Sequence, residues 1–393
     1  MSHVMNTYAR QAVAFVRGEG VWLWDEAGKK YLDALAGIAV NTLGYGHPKF
    51  KKALLERIES GVIHTSNLWR IPDQEAAADR VAEITGLDEV FFCNSGLEAT
   101  EASIKVARKY GHDKGIAEPA IVVMEKAFHG RSLATLSATG SRKVQAGFEP
   151  LVQGFVRVPL NDLEAVRLVA ANNRNVSAVL IEPIQGEGGI NVSRMEYLRG
   201  LKQICDEKGW LFISDEVQCG LGRTGKWFVY QHAGLQPDVV ALAKGLASGL
   251  AVGACVVGNR AKGVFKPGNH GSTFGGNPLA MTGVVATLDI VKEEKLLANS
   301  AKVGEQILSS LRSQVGNGVA EVRGMGLMIG IELKEPCGEL VRQALDAGLV
   351  INVTADNVVR LLPPLVISEA EGRQVVERLV PLVKAFLDKR AAA

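Results

Sequence analysis

The chain has 393 residues, a formal net charge of +2, and a composition that is 47% hydrophobic and 22% charged. This length favours roughly two to three domains, and the composition is typical of a globular protein with a sizeable core. The near-neutral charge gives no support to a nucleic acid or an anionic membrane as a partner. No secretory signal and no apolar stretch of about 18 residues is found, so we expect neither export nor a membrane span. The five cysteines form no CxxC pair, which favours reduced thiols in a cytoplasmic protein.

The predicted elements begin with a hairpin, after which strand-like and helix-like segments alternate. In "VWLWDEAGKKYLDAL" two β-rich runs are joined across Ala27 and Gly28. The later strand candidates are "EVFFCN", "AIVVME", "FVRVPL", "SAVLIEPI", "WLFISDEV", "DVVALAK" and "GACVVG". Helical spacing marks "SGLEATEASIKVARKYG", "NDLEAVRLVAANN" and "SRMEYLRGLKQICDEKG". This alternation predicts an α/β fold with a mostly parallel sheet covered on both faces, which we place in a large domain at residues 45–280.

The two ends of the chain predict a second, smaller domain. After Pro278 come two long helical patterns, then strands in "GVAEVRGMGLMIGIEL" and a last amphipathic helix, "SEAEGRQVVERLVPLVKAFLDKR". We expect residues 1–44 and 281–393 to form a smaller α/β domain built from both termini.

Residues 220–225, "GLGRTG", match the dinucleotide-binding pattern G-x-G-x-x-G and follow a strand candidate. That pattern requires its glycines to open a helix, whereas "KWFVYQHAG" is aromatic and β-branched. The acidic residue expected about 20 positions further on has only a loose counterpart in Asp238. The context therefore disfavours an NAD-dependent dehydrogenase and favours a loop that needs unusual backbone angles.

A carboxylate and a lysine stand at the ends of two successive strand candidates. Asp215 ends "WLFISD", and Lys244 ends "DVVALAK". Open α/β sheets bind ligands at the carboxyl ends of their strands. A carboxylate for a pyridinium nitrogen and a lysine for a Schiff base are what pyridoxal phosphate (PLP) requires. Alternatively, Asp215 is a helix cap or surface group, and Lys244 extends its amine to solvent or an ion pair.

Two further segments are suited to the same cofactor. Ser95, Gly96 and Leu97 lie at a strand-to-helix turn, where backbone N–H groups and the helix dipole favour a phosphate. Ser95 and Glu98 also have the spacing of an ordinary capping box, and the two interpretations are compatible. In "KAFHGRS", Phe128 is a candidate for stacking on a ring, and Arg131 for clamping a carboxylate. Without further support, these two side chains would be assigned to the core and the surface.

Taken together, these segments resemble the class III aminotransferases, PLP enzymes of fold type I. The matching segments run nearly end to end: "YLDALAGIAVNTLGYGHP", "HTSNLW", "FFCNSGLEATEASIKVARKY", "FHGRS", "EPIQGEGG", "SDEVQCGLGRTGKWF", "LAKGL", "HGSTFGGNPLA", "RGMGLMIGIEL" and "VRLLPPL". Several motifs in the family's order are far more specific than one glycine pattern. "AGIAVNTLG" with "HTSNL" resembles the branch of the family that acts on acetylornithine.

The resemblance implies roles for five residues around the cofactor ring. Lys244 would form the Schiff base and shuttle a proton, and Asp215 would keep the pyridine nitrogen protonated. Gln218 would bond the ring's phenolic oxygen, while Val217 and Phe128 would pack against opposite ring faces.

Further cofactor contacts are implied around the phosphate. Gly96 and Leu97 would hold it through their backbone, and contacts are also implied for Ser95 and Glu216. Thr273 would reach the phosphate bound by the other subunit, so each site would require a homodimer.

The resemblance also implies how two different substrates use one site. Arg131 would bind the α-carboxylate of acetylornithine, with Ser272 beside the substrate. Arg360 would clamp 2-oxoglutarate, and Glu187 would neutralise Arg360 during the first half-reaction. The expected ping-pong reaction moves the δ-amino group of N-acetylornithine to 2-oxoglutarate in arginine biosynthesis.

Two departures and three alternatives stay open. Ala251 stands where relatives commonly have proline, and Leu97 where alanine or threonine is frequent, so the local turn or the pocket mouth could differ. Succinylornithine, ornithine, 4-aminobutyrate or another ω-amine are alternative substrates within the family. Outside it, the alternatives are an NAD-dependent dehydrogenase and a catalytically silent binding protein, and intact Lys244 and Asp215 disfavour the latter.

Overall fold

The computed structural model describes residues 3–316 and 318–391. The strands are β1 (Phe15–Glu19), β2 (Trp22–Asp25), β3 (Lys30–Asp33), β4 (Glu89–Cys93), β5 (Ala120–Met124), β6 (Phe155–Val158), β7 (Val176–Ile181), β8 (Ile184–Gln185), β9 (Asn191–Val192), β10 (Leu211–Asp215), β11 (Val239–Leu242), β12 (Gly253–Val257), β13 (Val319–Met325), β14 (Met328–Leu333), β15 (Leu349–Val350), β16 (Asn352–Thr354) and β17 (Val358–Leu361).

The helices alternate with these strands. They are α1 (Ala36–Ala39), α2 (Pro48–Glu59), α3 (Pro72–Thr85), α4 (Gly96–Asp113), α5 (Leu133–Ala138), α6 (Arg142–Gln145), α7 (Leu163–Asn172), α8 (Met195–Lys208), α9 (Pro278–Glu293), α10 (Leu296–Gln314), α11 (Leu340–Asp346) and α12 (Glu369–Ala391). Among the described residues, no helix combines the length and apolar content needed to cross a membrane.

A seven-stranded sheet in the order β4-β12-β11-β10-β7-β5-β6 forms the middle of the chain. All neighbouring pairs are parallel except those that involve β12. Side chains alternate between two cores: Ile121 and Val123 pack with α4, whereas Val122 and Met124 pack with α8. The predicted mostly parallel sheet with both faces covered is therefore confirmed.

Two smaller sheets are built from the ends of the chain. One has the order β1-β2-β3-β15, and the other has the order β13-β14-β17-β16. One apolar core joins residues of both sheets with α10 and α12. The predicted hairpin is confirmed, since Trp22–Asp25 and Lys30–Asp33 pair antiparallel around Ala27 and Gly28.

Helices α2 and α3 were not predicted from the sequence. α2 buries none of its residues in this chain, although it carries apolar side chains such as Leu55 and Ile58. The end of α3 is capped by Gly86 at φ 69°, a left-handed position that suits glycine.

Candidate active site

Asp215, the last residue of β10, is held by two donors. Its Oδ2 lies 2.7 Å from Nδ1 of His129, and its Oδ1 accepts from the backbone N–H of Val217 at 3.1 Å. An ionised carboxylate only accepts hydrogen bonds, so Nδ1 of His129 is the donor. Asp215 is 4% exposed and His129 is 3% exposed. The carboxylate is thus fixed at the strand end, where open α/β sheets bind ligands.

Lys244 follows the neighbouring strand β11 and lies in the same region. Its φ of 43° is left-handed, an uncommon conformation for a side-chain-bearing residue. Burial lowers the pKa of the Lys244 amine, although the charge of Glu187 opposes that effect. A lower pKa makes more of the neutral, nucleophilic amine available.

The N-terminus of α4 supplies a cradle of backbone amides. Ser95 caps the helix and accepts from the N–H of Glu98 at 3.2 Å. The reciprocal bond differs from the predicted capping box, because Glu98 accepts from the N–H of Asn94. The amides of Gly96 and Leu97 lie in the first turn, where the helix itself offers no carbonyl acceptors. A Cβ on Gly96 would lie 2.6 Å from Val217, so a larger residue would be forced against that side chain.

These groups line one cavity of about 410 Å³. Its walls include Val40, Asn94, Ser95, Gly96, Leu97, Phe128, Arg131, Glu182, Asp215, Val217, Gln218, Lys244 and Ala251. An amine, a fixed carboxylate, a helix N-terminus and two apolar side chains, Phe128 and Val217, are the groups that PLP needs. The donor set therefore fits PLP, and both departures from the family, Leu97 and Ala251, lie on its wall.

Phe128 and Arg131 also line a second cavity of about 970 Å³, so the two cavities adjoin. The guanidinium of Arg131 lies 5.7 Å from the centroid of the Phe128 ring. Glu187 and Thr354 also line the second cavity. Arg131 thus stands where the cofactor cavity opens toward a space that can take a substrate.

Arg360 lies in the middle of β17 and is fully buried. Its Nη1 donates to Oε1 of Glu187 at 2.6 Å and to Oε1 of Gln218 at 3.0 Å. Its Nε donates to Oδ1 of Asn352 at 3.0 Å. Among the described residues, Nη2 has no hydrogen-bond partner. A buried guanidinium with an unused donor is suited to a carboxylate ligand.

Glu187 is an ionised partner for that guanidinium. Burial raises its pKa, but the charge and hydrogen bond of Arg360 outweigh burial, and the net pKa is lowered. Gln218 also donates to Glu187, at 3.4 Å. The side chain of Gln218 therefore lines the cofactor cavity while touching both members of the ion pair.

Three other residues were predicted to contact the cofactor or the substrate: Glu216, Ser272 and Thr273. Glu216 is fully buried and does not line the cofactor cavity, because its carboxylate accepts from the N–H groups of Val229 and Tyr230. Its expected cofactor contact stays a prediction. Ser272 accepts from Nδ2 of Asn94 at 3.2 Å, which ties its loop to the cavity wall. Thr273 is exposed beside it.

The "GLGRTG" loop contacts the C-terminal part of the chain. A Cβ on Gly222 would lie 2.8 Å from Leu365, and a Cβ on Gly225 would lie 2.8 Å from Ala301. Both glycines have left-handed φ values, 93° and 90°. The next helical element, at Val229–Gln231, is a single 3-10 turn, so the loop does not open the helix that a dinucleotide site requires. Its glycines serve turns and close packing.

His129 and Glu182 were missed by the sequence analysis. Glu182 accepts from the N–H groups of Phe128 and Gly186, at 2.6 and 3.2 Å. Burial raises the pKa of its carboxyl to about 7. His129 stands in the quoted segment "KAFHGRS", next to Phe128, but a lone histidine gave no signal of its bond to Asp215.

Comparison with known proteins agrees with this geometry. The family model "Aminotransferase class-III" matches residues 4–383, so the chain belongs to that family. It is therefore a PLP-dependent aminotransferase with the fold type I architecture.

Two relatives are similar over nearly their whole length. The chain is 57% identical to an acetylornithine aminotransferase of Nitrosomonas europaea, covering 99% of this chain and 100% of the relative. It is 45% identical to an acetylornithine aminotransferase of Aquifex aeolicus, covering 98% and 100%.

Solved structures are similar as well. An ornithine aminotransferase from Toxoplasma gondii superposes with a TM-score of 0.94 at 32% identity, covering 98% of this chain and 94% of the other. An acetylornithine aminotransferase from Elizabethkingia anophelis superposes with a TM-score of 0.88 at 36% identity, covering 98% and 97%.

Proposed function

We propose that this chain transfers the δ-amino group of N-acetylornithine to 2-oxoglutarate, as a step of arginine biosynthesis. A ping-pong sequence of two half-reactions would release N-acetylglutamate 5-semialdehyde and then glutamate. The observation that carries the proposal is the pairing of buried Arg360 with Glu187 beside the cavity of Lys244. Relatives named acetylornithine aminotransferase, at 45–57% identity over nearly the whole chain, support this substrate.

PLP, when bound, supplies an aldehyde for the amine and a ring that accepts electrons. Lys244 would hold the cofactor through Nζ, and its amine would move a proton at the substrate carbon. Burial lowers the pKa of Lys244, so its amine is ready to accept that proton.

Asp215 would keep the pyridine nitrogen protonated, and the ring would then accept electrons. His129 and the N–H of Val217 hold the carboxylate in one orientation for this purpose. The amides of Gly96 and Leu97, at the positive end of α4, would hold the phosphate.

The two substrates differ in whether a carboxylate lies next to the reacting carbon. In the first half-reaction, Arg131 binds the α-carboxylate of acetylornithine, and the δ-amine reaches the cofactor. Glu187 meanwhile neutralises Arg360, so that no substrate carboxylate is drawn there. In the second half-reaction, 2-oxoglutarate displaces Glu187 and binds the Nη1 and Nη2 donors of Arg360 through its α-carboxylate.

A homodimer is part of the proposal. Large apolar side chains are exposed around residues 55–69 and 274: Leu55, Ile58, Val62, Ile63, Leu68, Trp69 and Phe274. Asn67 donates to the carbonyls of Ser272 and Gly275, which connects this patch to the Thr273 loop. An apolar patch of this kind marks a protein interface. In a dimer, Thr273 would contact the phosphate bound by the partner subunit.

The dimer is tested by Leu68→Asp, with Leu168→Asp as the matched control. Leu68 is 84% exposed within the patch, and Leu168 is 66% exposed on α7. We expect Leu68→Asp to shift sedimentation toward monomer and to lower activity, and Leu168→Asp to do neither. An active monomer would contradict the shared site.

The domain division and the compartment are also proposals. We propose that residues 45–280 form the large domain and that residues 1–44 and 281–393 form the small one, since the seven-stranded sheet falls within the first range. We propose a cytoplasmic location, supported by five cysteines that are all free and buried.

The substrate is tested by a half-reaction screen. Acetylornithine, succinylornithine, ornithine, 4-aminobutyrate and glutamate are each mixed with the purified enzyme, and cofactor absorbance is followed. We expect acetylornithine to have the highest second-order rate constant among the ω-amines, and glutamate to react through Arg360. A clear preference for ornithine or 4-aminobutyrate would replace the proposed substrate, and a colourless protein that binds NADH would overturn the reaction class.

A further inference from the structure

Arg360 has one cross-strand neighbour on each side in its antiparallel sheet. The register of the strands places Asn352 of β16 on one side and Gly330 of β14 on the other. Residues directly opposite each other in an antiparallel pair have neighbouring side chains on one face. Gly330 offers no side chain, and a Cβ there would lie 2.9 Å from Ile190. Asn352 is therefore the cross-strand neighbour whose side chain can bond the guanidinium.

The amide of Asn352 bonds the Arg360 donor that is nearest to the backbone. Nε of Arg360 donates to Oδ1 of Asn352 at 3.0 Å. Arg360 is fully buried, so water does not compete for this donor. Asn352 is partly buried, and it lines neither the cofactor cavity nor the second cavity. Its side chain thus acts on Arg360 without forming part of either wall.

A guanidinium can bind a carboxylate through two parallel hydrogen bonds along either of two edges. One edge carries Nη1 and Nη2, and the other carries Nε and Nη2. In Arg360 the second edge is occupied at Nε by Asn352. Nη1 bonds Glu187 and Gln218, while Nη2 has no partner in the part of the chain that the structure describes. Once Glu187 moves away, the Nη1–Nη2 edge is the one left for a carboxylate.

Strand β16 also contacts the other member of the ion pair. Thr354 donates through Oγ1 to the backbone carbonyl of Glu187 at 2.7 Å. Residues two apart on a strand face the same side, so Asn352 and Thr354 reach the pair from one face. The bond to Glu187 involves its backbone and does not oppose movement of its carboxylate. The bond to Arg360 involves the side chain and does oppose movement of the guanidinium.

We propose that Asn352 is a positioning residue that keeps the Nη1–Nη2 edge of Arg360 turned toward the α-carboxylate of glutamate and 2-oxoglutarate. Without the Asn352 acceptor, Nε is free and the guanidinium can turn, so an α-carboxylate binds along another edge and the reacting carbon is misplaced. Acetylornithine does not use this edge, because its α-carboxylate binds Arg131. The inference rests on the proposed function, and it adds a residue that touches neither substrate nor cofactor.

The test compares two amino donors in single-turnover half-reactions of the holoenzyme. Second-order rate constants for glutamate and for acetylornithine are measured in the unaltered enzyme and in Asn352→Ala. We expect the value for glutamate to fall by about 10–100-fold, the usual effect of losing one hydrogen bond to a charged group. The value for acetylornithine should change little. A general structural effect would lower both values together, and an unchanged ratio would contradict the inference.

Binding is measured separately from turnover with 2-methylglutamate, which carries an α-carboxylate but has no α-hydrogen to lose. Its dissociation constant, obtained by titrating the cofactor absorbance, should rise in Asn352→Ala. An unchanged dissociation constant would mean that Asn352 does not position the edge that binds the carboxylate.

A double-mutant cycle tests whether Asn352 acts through Arg360. Methionine is unbranched and has no donor, so Arg360→Met removes the group that Asn352 would position. In that background, Asn352→Ala should lower the rate with glutamate hardly further. An equal fall in both backgrounds would overturn the inference, because Asn352 would then act independently of Arg360. If Arg360→Met itself left the rate with glutamate unchanged, the proposed function would fail instead.

A second variant decides the matter if Asn352→Ala does not fold. In Asn352→Leu the side chain is similar in size but has no acceptor, so the rate with glutamate should fall as in Asn352→Ala. The control is Asn172→Ala, which removes a bond to the carbonyl of Leu168 on the exposed surface of α7 and should leave the ratio as it is. An unchanged ratio in a folded, cofactor-loaded Asn352→Leu would also overturn the inference.

Discussion

The two walls of the active site are built in different ways. The wall with Lys244 and Asp215 comes from neighbouring strands of one sheet, and Asp215 aligns with Ala241 of β11 in register. The wall with Arg360 comes from a different sheet, and its contact with Glu187 joins residues 173 positions apart. The first wall is fixed by the pairing of β10 with β11, whereas on the second wall the carboxylate of Glu187 is held by its ion pair with Arg360 and a bond from Gln218. In the proposed function, the chemistry common to both half-reactions would lie on the first, rigid wall, and the choice of substrate would depend on the second wall, where Glu187 would move away from Arg360.

The largest expected effect comes from removing the amine of the rigid wall. Lys244→Ala should lower kcat by at least about 10⁴-fold, because it removes both the covalent partner of the cofactor and the proton carrier. Borohydride should fix the cofactor on Lys244 of the unaltered enzyme, as read by peptide mass, and not in the variant. The surface variant Lys262→Ala, which loses a contact with Asp88, serves as the control. Full turnover by Lys244→Ala would contradict the proposed mechanism.

Asp215→Asn should have the next largest effect. The amide is close in shape but cannot hold a proton on the ring nitrogen as a carboxylate does, so kcat should fall by at least about a hundredfold. The variant should still take up cofactor through Lys244 and the amides of α4, which its absorbance spectrum will show. An unchanged kcat at full cofactor occupancy would remove Asp215 from the proposed mechanism.

Glu187→Ala tests the second wall. Without Glu187, Arg360 keeps a free charge and attracts α-carboxylates in both half-reactions. The preference for the δ-amine of acetylornithine over the α-amine of glutamate should fall by about 10–100-fold, in line with the free energy of a charged hydrogen bond. Single-turnover rates with each donor measure this ratio.

The control for that experiment is Glu196→Ala, which breaks an exposed pair with Arg199. It should leave the ratio unchanged. If Glu187→Ala also left the ratio unchanged, the ion pair between Glu187 and Arg360 would not control the choice of substrate.

The difference between the two walls also explains which site residues could be predicted from the sequence. Asp215 and Lys244 end apolar strand patterns, and strands of a parallel sheet present such residues at one edge, so local periodicity was enough to pair them. The contacts of Arg360 with Glu187 and Gln218 depend on how two sheets dock, and no local pattern carries that information. Those roles came from the family resemblance alone. His129 was missed for the same reason, since its partner Asp215 lies 86 positions away.

The smallest expected effect concerns Glu216, which follows Asp215 but faces the interior. Burial raises its pKa from 4.5 to about 7, so the folded state binds this proton more tightly than the unfolded chain. The resulting stabilisation is present below about pH 4.5 and is lost as pH rises toward about 7, by about 3 kcal/mol in total. Glu216→Gln keeps an acceptor for Val229 and Tyr230 but cannot ionise.

The variant should therefore show a shallower fall in unfolding free energy across that pH range, with kcat nearly unchanged. Glu182, whose pKa is also raised to about 7 by burial, remains in the variant, so part of the slope should persist. Urea unfolding at several pH values, with cofactor in constant excess, measures both slopes. A variant with the slope of the unaltered enzyme would mean that Glu216 stays ionised in the folded state. A large loss of kcat would mean that Glu216, despite facing away from the cavity, helps to place Asp215 on the rigid wall.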